Sequence, residues 1–228
     1  MSFKITWHGH YTFSLDIDGT HVVIDPFFQG NNPVCNVPVE AIPADFILQT
    51  HGHGDHIADT VDLAKATGAL VISNFEIANW INKHGHQNTW AMNTGGSYQF
   101  SFGRVKMTPA LHSSGLPDGS YGGDPGGFII FADSGTVYFS GDTALFSDMS
   151  LIGAAGLDIA VIPTGDNFTM GPEDALLALN FLKPKVAIPA HYGTWEPIEQ
   201  DMDAWAKSVR QETDVIPVVM NVGDTYEL

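Results

Sequence analysis

Six consecutive residues, His51-Gly52-His53-Gly54-Asp55-His56, constrain this chain more than any other stretch. Three imidazoles and a carboxylate stand at the end of an apolar run, Phe46-Ile47-Leu48. These are the ligands that divalent zinc, manganese and iron prefer, and few other tasks want four of them within six positions. The run predicts a metal site at the end of a buried strand. Residues two apart in an extended segment point the same way, so His51 and His53 can grip one ion. Gly52 and Gly54 are expected to leave room for the ion and to permit a sharp turn that swings Asp55 and His56 toward a neighbouring position. One ion takes three or four protein ligands, so four donors here, with others elsewhere, imply two ions.

The rest of the chain alternates between strand and helix patterns. Phe13, Leu15 and Ile17 alternate with polar residues, Asp18-Gly19 is a hairpin signal, and Val22-Val23-Ile24 climbs back to Asp25-Pro26. Beyond the histidine cluster, helices are expected over 60–67 and 75–83, with strands at 71–73, 89–92, 98–102, 105–109, 128–132 and 136–140. The final third returns to strands at 159–162 and 186–189, helices over 171–183 and 198–212, and closing strands at 215–220 and 225–228. Two strand-rich halves, each followed by helices, predict an α/β fold: a four-layer αββα sandwich of two mixed sheets with helices on the outer faces. No linker or repeat divides the 228 residues, so a single domain over 1–228 is expected.

The remaining donors stand at predicted strand ends. His112 follows the run 105–111, Asp142 follows Tyr138-Phe139-Ser140-Gly141, and His191 follows Val186-Ala187-Ile188-Pro189-Ala190. Side chains placed there emerge from a sheet edge into a cleft. With a strand-ending Asp25, then the histidine cluster, His112, Asp142 and His191 in that order, the chain resembles the metallo-β-lactamase superfamily. The resemblance implies that His51, His53 and His112 hold a first ion. It implies that Asp55, His56 and His191 hold a second, with Asp142 bridging both. Asp25 would orient a ligand histidine or cap the Asp25-Pro26 turn.

Departures from the better-known branches narrow the resemblance. The fourth-motif ligand is Asp142 rather than a cysteine, and the second cluster position is His53 rather than glutamate. Ile57-Ala58 follows the cluster, and the length leaves no room for the inserted domain of the nuclease relatives. Ile5-Thr6-Trp7-His8-Gly9-His10, the stretch from Asp166 to Ala175 and Pro189-Ala190-His191-Tyr192-Gly193-Thr194-Trp195 are similar to small metal-dependent hydrolases related to L-ascorbate-6-phosphate lactonase. The implied cofactors are two divalent ions, zinc first, with manganese or iron also accepted by such ligands.

A hydrolase of this kind would use a water acidified between the ions, from a pKa of 15.7 to about 7, to attack an ester, lactone, amide or phosphodiester bond. The alternative is a non-hydrolytic metal-binding or sensing protein, or a di-iron redox member. Candidate catalytic residues are Asp55, Asp142 and His10; His10 would be a proton donor, an oxyanion contact or a hydrogen-bonded turn residue. Asn167 would line the cleft or cap the following helix, and Tyr192 would touch substrate or merely pack. His8, His21, His84 and His86 are expected at the surface, and the tryptophans in the core, Trp195 excepted.

Composition bounds the partners. A net charge of −17 with nine Lys plus Arg repels phosphate backbones and anionic lipid, which argues against nucleic-acid and membrane partners and leaves a small-molecule substrate. A lone Cys35 and the lack of a signal-like N-terminus fit the cytoplasm. The resemblance allows a homo-oligomer.

Overall fold

Period-two patterning makes the first strands, and each buries one face. The computed structural model describes residues 2–228. Strands β1 (Phe3–Trp7) and β2 (Phe13–Ile17) bury every second side chain fully, and β3 (Thr20–Ile24) returns across the Asp18-Gly19 turn. Both turn residues have left-handed φ, 50° and 85°. A short apolar run forms β4 (Phe46–Leu48), and Leu70-Val71-Ile72 opens β5 (Leu70–Asn74); both continue the sheet from β3 in parallel, as does β6 (Thr89–Met92). Strands β7 (Ser97–Phe100), β8 (Gly103–Pro109), β9 (Gly126–Ala132) and β10 (Gly135–Phe139) form an antiparallel meander. To it β11 (Ile159–Pro163), β12 (Val186–Ala190) and β13 (Ile216–Pro217) add in parallel. The last strand, β14 (Thr225–Glu227), crosses back and pairs antiparallel with β1.

The result is two mixed seven-stranded sheets, ordered β14-β1-β2-β3-β4-β5-β6 and β13-β12-β11-β10-β9-β8-β7. Phe3, Ile5, Phe13 and Leu15 from one sheet meet Val105, Phe128, Phe139, Val161 and Ile188 from the other. Each such side chain contributes about 1.5–3 kcal/mol when fully buried, so the interleaved layer dominates stability. Helices α1 (Gly54–Ile57), α2 (Thr60–Thr67) and α3 (Phe75–Lys83) cover the outside of the first sheet through Ile57, Leu63, Ile77 and Ile81. Helices α4 (Met149–Gly153), α5 (Pro172–Leu182) and α6 (Met202–Glu212) cover the second through Met149, Leu179, Trp205 and Val209. The four layers are those expected from the order of patterns. Among the described residues no helix is long and apolar enough to cross a membrane.

Three boundaries differ from the sequence expectation. The last long helix starts at Met202, because Glu196–Ile198 makes a separate 3₁₀ turn and the Asp201 carboxylate caps α6 by accepting from the Ala204 amide at 2.9 Å. Only Ile216–Pro217 of the 215–220 run forms a strand, tied to β12 by the Ile216 amide on Lys185 O and the Val218 amide on Ala187 O, both at 2.9 Å. Helix α4 was not expected at all: five residues carry too little periodicity to be seen.

The topology also sets where polar residues gather. Strands β3 and β4 run parallel, as do β10, β11 and β12, so their carboxyl ends lie at a common edge of each sheet. Asp25, His51, Asp142 and His191 each follow one of those ends, the position where open α/β sheets bind ligands.

Candidate metal centre

Two groups of donor atoms meet at that edge, beside a third made by Asp25, His51 and His56. His51, His53 and His112 form one, and His10, Asp55, His56 and His191 the other, with all donor atoms within each group closer than 4.8 Å. The Asp142 carboxylate stands between them: its Oδ2 lies 3.0 Å from His191 Nε2, 3.3 Å from His56 Nε2, 3.6 Å from His112 Nε2 and 3.9 Å from His51 Nε2. Residues separated by 140 positions in sequence thus converge on one oxygen.

Local structure presents the cluster differently from the expectation. His53 ends the extended segment with φ −66° and ψ 149°, and α1 begins at once, so Asp55 and His56 project from a helical turn rather than a glycine-driven bend. Neither Gly52 nor Gly54 has left-handed φ. A Cβ at Gly52 would come within 3.0 Å of the Leu116 side chain, whereas one at Gly54 would meet nothing within 4 Å. Gly52 is therefore a close-packing residue against the 115–122 loop, and neither glycine is where an ion would need space.

Hydrogen bonds behind the donors fix which nitrogens face the centre. Thr50 Oγ1 donates to Asp25 Oδ2, a carboxylate oxygen that only accepts, and so must itself accept from His51 Nδ1 at 3.0 Å. The His51 Nε2 lone pair then points inward. His56 Nδ1 likewise donates to Asp25 Oδ2 at 2.8 Å, leaving Nε2 to face Asp142. Asp25 Oδ1 accepts from the Thr50 amide at 2.8 Å and from Gln49 Nε2 at 3.1 Å, so both its oxygens are saturated. Thr50, Gln49 and Ser113, whose hydroxyl lies 3.2 Å from His53 Nε2, carried no motif signal beyond adjacency to the cluster and to His112.

His10 is placed behind Asp55 rather than in the cleft. Its Nε2 lies 3.0 Å from Asp55 Oδ2 and its Nδ1 2.9 Å from Thr194 Oγ1, and it is fully buried. Burial and the neighbouring His191 hold its pKa down at about 4, so the ring is neutral at pH 7. A neutral ring facing a carboxylate must donate from Nε2, and Nδ1 accepts from Thr194. Its carbonyl accepts from the Trp7 indole at 3.0 Å and the His191 amide at 2.9 Å, which brings the two rings to 4.0 Å. His10, Asp25 and His191 all hold left-handed φ (55°, 46° and 55°), a strained conformation outside glycine that persists where the surrounding structure enforces it.

Charge in the centre is divided. Burial pushes His51 well below the ordinary imidazole range, with His56 adding repulsion, and also lowers His53 and His112. Burial alone would raise Asp142 and Asp55, yet His191 and His56 beside the first, and His56 and His10 beside the second, carry both below the usual carboxylate range. In return, Asp142 outweighs burial at His191 and lifts it to about 9, and lifts His56 well above its ordinary value. Burial pushes Asp25 up, while His56 and Thr50 pull it back.

The donor set fits divalent cations on an independent observation. His56 Nε2 and His191 Nε2, 3.3 and 3.0 Å from Asp142 Oδ2, are buried without hydrogen-bond partners, and so is Asp142 Oδ1. A divalent cation among these atoms would take the place of the imidazole protons and satisfy all three. On the other side, His51 Nε2, His53 Nδ1 and His112 Nε2 are spaced at 3.1 and 3.2 Å along the contacts through His53. Nitrogens held about 2.0–2.1 Å from a tetrahedral ion stand roughly 3.3 Å apart.

A cavity of about 500 Å³ opens over the donors, with His53, Asp55, His112, Asp142 and His191 on its floor and Ser113, Phe168, Trp195 and Pro197 around it. Asn167 is exposed and outside this lining; its neighbour Phe168 takes the place expected of it. Tyr192 packs on Trp7 at 5.2 Å and its hydroxyl reaches Met220 O at 3.4 Å, away from the cavity. His8 and His86, expected at the surface, are buried: His8 Nε2 meets Ser14 Oγ at 2.7 Å and His86 Nε2 meets Ala69 O at 2.9 Å.

Known proteins share this arrangement of chain. Residues 20–192 match the family model of the β-lactamase superfamily domain. A UPF0173 metal-dependent hydrolase of Thermus thermophilus is 49% identical over 209 residues, covering 92% of each chain. Its Bacillus subtilis counterpart YtkL is 44% identical over 231 residues, covering 99% of this chain and 100% of the relative. Among solved structures, Igni18, a metallo hydrolase from the archaeon Ignicoccus hospitalis, superposes with a TM-score of 0.90 at 34% identity, over 100% of this chain and 99% of that one.

Proposed function

The chain belongs to the metallo-β-lactamase superfamily and is a metal-dependent hydrolase, and from that premise we propose that it cleaves an ester, lactone, amide or phosphodiester bond of a small molecule with two divalent ions, zinc first. One observation carries the reading: the single Asp142 oxygen lies within 3.9 Å of four imidazole nitrogens drawn from both donor groups. A shared carboxylate is what a pair of adjacent ions needs and a single ion does not. His51, His53 and His112 would hold one ion; Asp55, His56 and His191 the other; Asp142 would serve both. When bound, such ions supply an acidified water as nucleophile at neutral pH and polarise the bond attacked.

The remaining work falls to this chain's residues. Asp25 and Thr50 hold His56 and His51 with their lone pairs inward, and Ser113 does the same for His53 from outside. Hydrolysis adds the water oxygen to the carbonyl or phosphoryl centre, breaks its bond to the leaving oxygen or nitrogen, and moves one water proton to the leaving group. Asp55, which lines the cavity, stands beside that path as an ionised carboxylate that accepts the His10 Nε2 proton at 3.0 Å. His10 acts through Asp55 and so is a positioning residue.

The test is elemental analysis of the purified protein together with turnover of ester, lactone and phosphodiester panels before and after chelation. Two metal equivalents and chelator-sensitive turnover are expected. One equivalent, or activity indifferent to chelation, would overturn the proposal.

A further inference from the structure

Phe168 and Trp195 leave 58% and 39% of their surface in solvent beside the donor floor. Exposing large rings forgoes about 25 cal/mol for each Å² of apolar surface that packing would have covered. Trp195 is packed, and the loop beneath Phe168 is held. Trp195 stands edge-on to His10 at 5.0 Å and packs by Phe27 at 6.2 Å. Phe168 is carried by Asp166 and Asn167, both with left-handed φ (63° and 52°), in a loop closed by the Met170 amide on Thr143 O at 3.0 Å. Left-handed residues other than glycine cost of order 1–3 kcal/mol each and persist only where the surroundings enforce them. The Trp195 ring and the backbone that carries Phe168 are therefore set before any substrate arrives.

The same cavity has no lysine or arginine among its lining residues, and two carboxylates, Asp55 and Asp142, share its floor. A phosphate or second carboxylate on a substrate is ordinarily met by guanidinium or ammonium donors. Here the only positive charge it could find is at the donor floor, where the reacting bond must sit. The volume of about 500 Å³ is within the range of small-molecule sites, whose specificity comes from apolar walls with few polar groups.

Resting on the hydrolase reading above, we propose that Phe168 and Trp195 determine specificity: the enzyme takes an otherwise uncharged ester or lactone bearing a flat apolar ring next to the reacting carbonyl, and rejects phosphorylated substrates. This separates the chain from the phosphorylated substrate of the lactonase that its sequence resembles.

The test uses the metal-loaded full chain with three lactones: phenyl-substituted δ-valerolactone, unsubstituted δ-valerolactone and 6-phosphogluconolactone. The phenyl compound is expected to have the highest kcat/KM, by about tenfold, and the phosphorylated one the lowest. Phe168→Ala and Trp195→Ala should each cut the phenyl-to-unsubstituted ratio about two- to tenfold, through KM, as the loss of an aromatic contact does. Calorimetric binding of 3-phenylpropionate against 6-phosphogluconate reads recognition without turnover; the double variant should weaken the first at least about tenfold with metal content unchanged. Ring-dependent binding without turnover of any ester, lactone, amide or phosphodiester would sink the hydrolase reading and support the recognition surface. Equal ratios in wild type and variants, or tighter binding of the phosphorylated acid, would overturn the inference.

Discussion

Asp25 Oδ2 lies 2.8 Å from His56 Nδ1, with both side chains fully buried and Asp25 in a left-handed backbone conformation of φ 46°. The contact couples a strand end of the first sheet to a histidine whose Nε2 lies 3.3 Å from Asp142. Asparagine tolerates that backbone but cannot present two anionic oxygens to His56, Thr50 and Gln49. Asp25→Asn should therefore keep the fold and weaken metal retention about 10–100-fold, the usual cost of losing an outer partner of a ligand histidine. Competition with a chromogenic chelator measures it.

Asp142→Asn removes the one charge shared by both donor groups. Turnover should fall by more than about a hundredfold, beyond the loss expected for an outer partner, and metal content should drop below two equivalents. Metal analysis beside steady-state rates separates the two effects; full occupancy with near-normal rates would place the bridging role elsewhere.

Thr194 gives His10 Nδ1 its only hydrogen-bond donor, at 2.9 Å. Thr194→Val leaves that buried nitrogen unsatisfied, at a cost of about 1–3 kcal/mol. Moving the proton from Nε2 to Nδ1 would not relieve it, because the new N–H would find no acceptor and the bare Nε2 would face the Asp55 carboxylate, so the ring keeps its tautomer and loses one of its two anchors. An unchanged Nε2–H tautomer in ¹⁵N spectra is expected, with turnover reduced about tenfold for that free-energy range. A fall in stability with turnover unchanged would show Thr194 to be merely structural.

Tyr11 braces the two sheets beneath the site: its hydroxyl reaches Val161 O at 3.0 Å and receives the Gly141 amide at 2.9 Å, next to Asp142. Tyr11→Phe leaves the Gly141 N–H buried and unpaired, so stability should drop by about 1–3 kcal/mol. Urea unfolding of the metal-loaded protein gives the number, and an unchanged midpoint would count against the brace.

Much of this was legible in the chain itself. Period-two alternation in Phe13–Ile17, the Gly68 stop after α2 and Pro172 at the start of α5 are local signals, and local chemistry decides them. The donor residues were legible too, because imidazoles and carboxylates directly after apolar strands leave few other readings. Gly54 misled, because a glycine in sequence does not say whether its space is used.

Only the tertiary structure decided which atoms meet. His10 lies 45 positions from Asp55 and 184 from Thr194, and no pattern in the sequence reveals that it stands behind the carboxylate rather than in the cleft. The displacement of Asn167 by Phe168 at the cavity wall, and the burial of His8 against Phe28 and of His86 against the Ala69 carbonyl, follow from contacts between segments distant in the chain. Side-chain periodicity fixes which face of an element is apolar; the direction of a loop residue depends on packing between elements that the chain brings together only when folded.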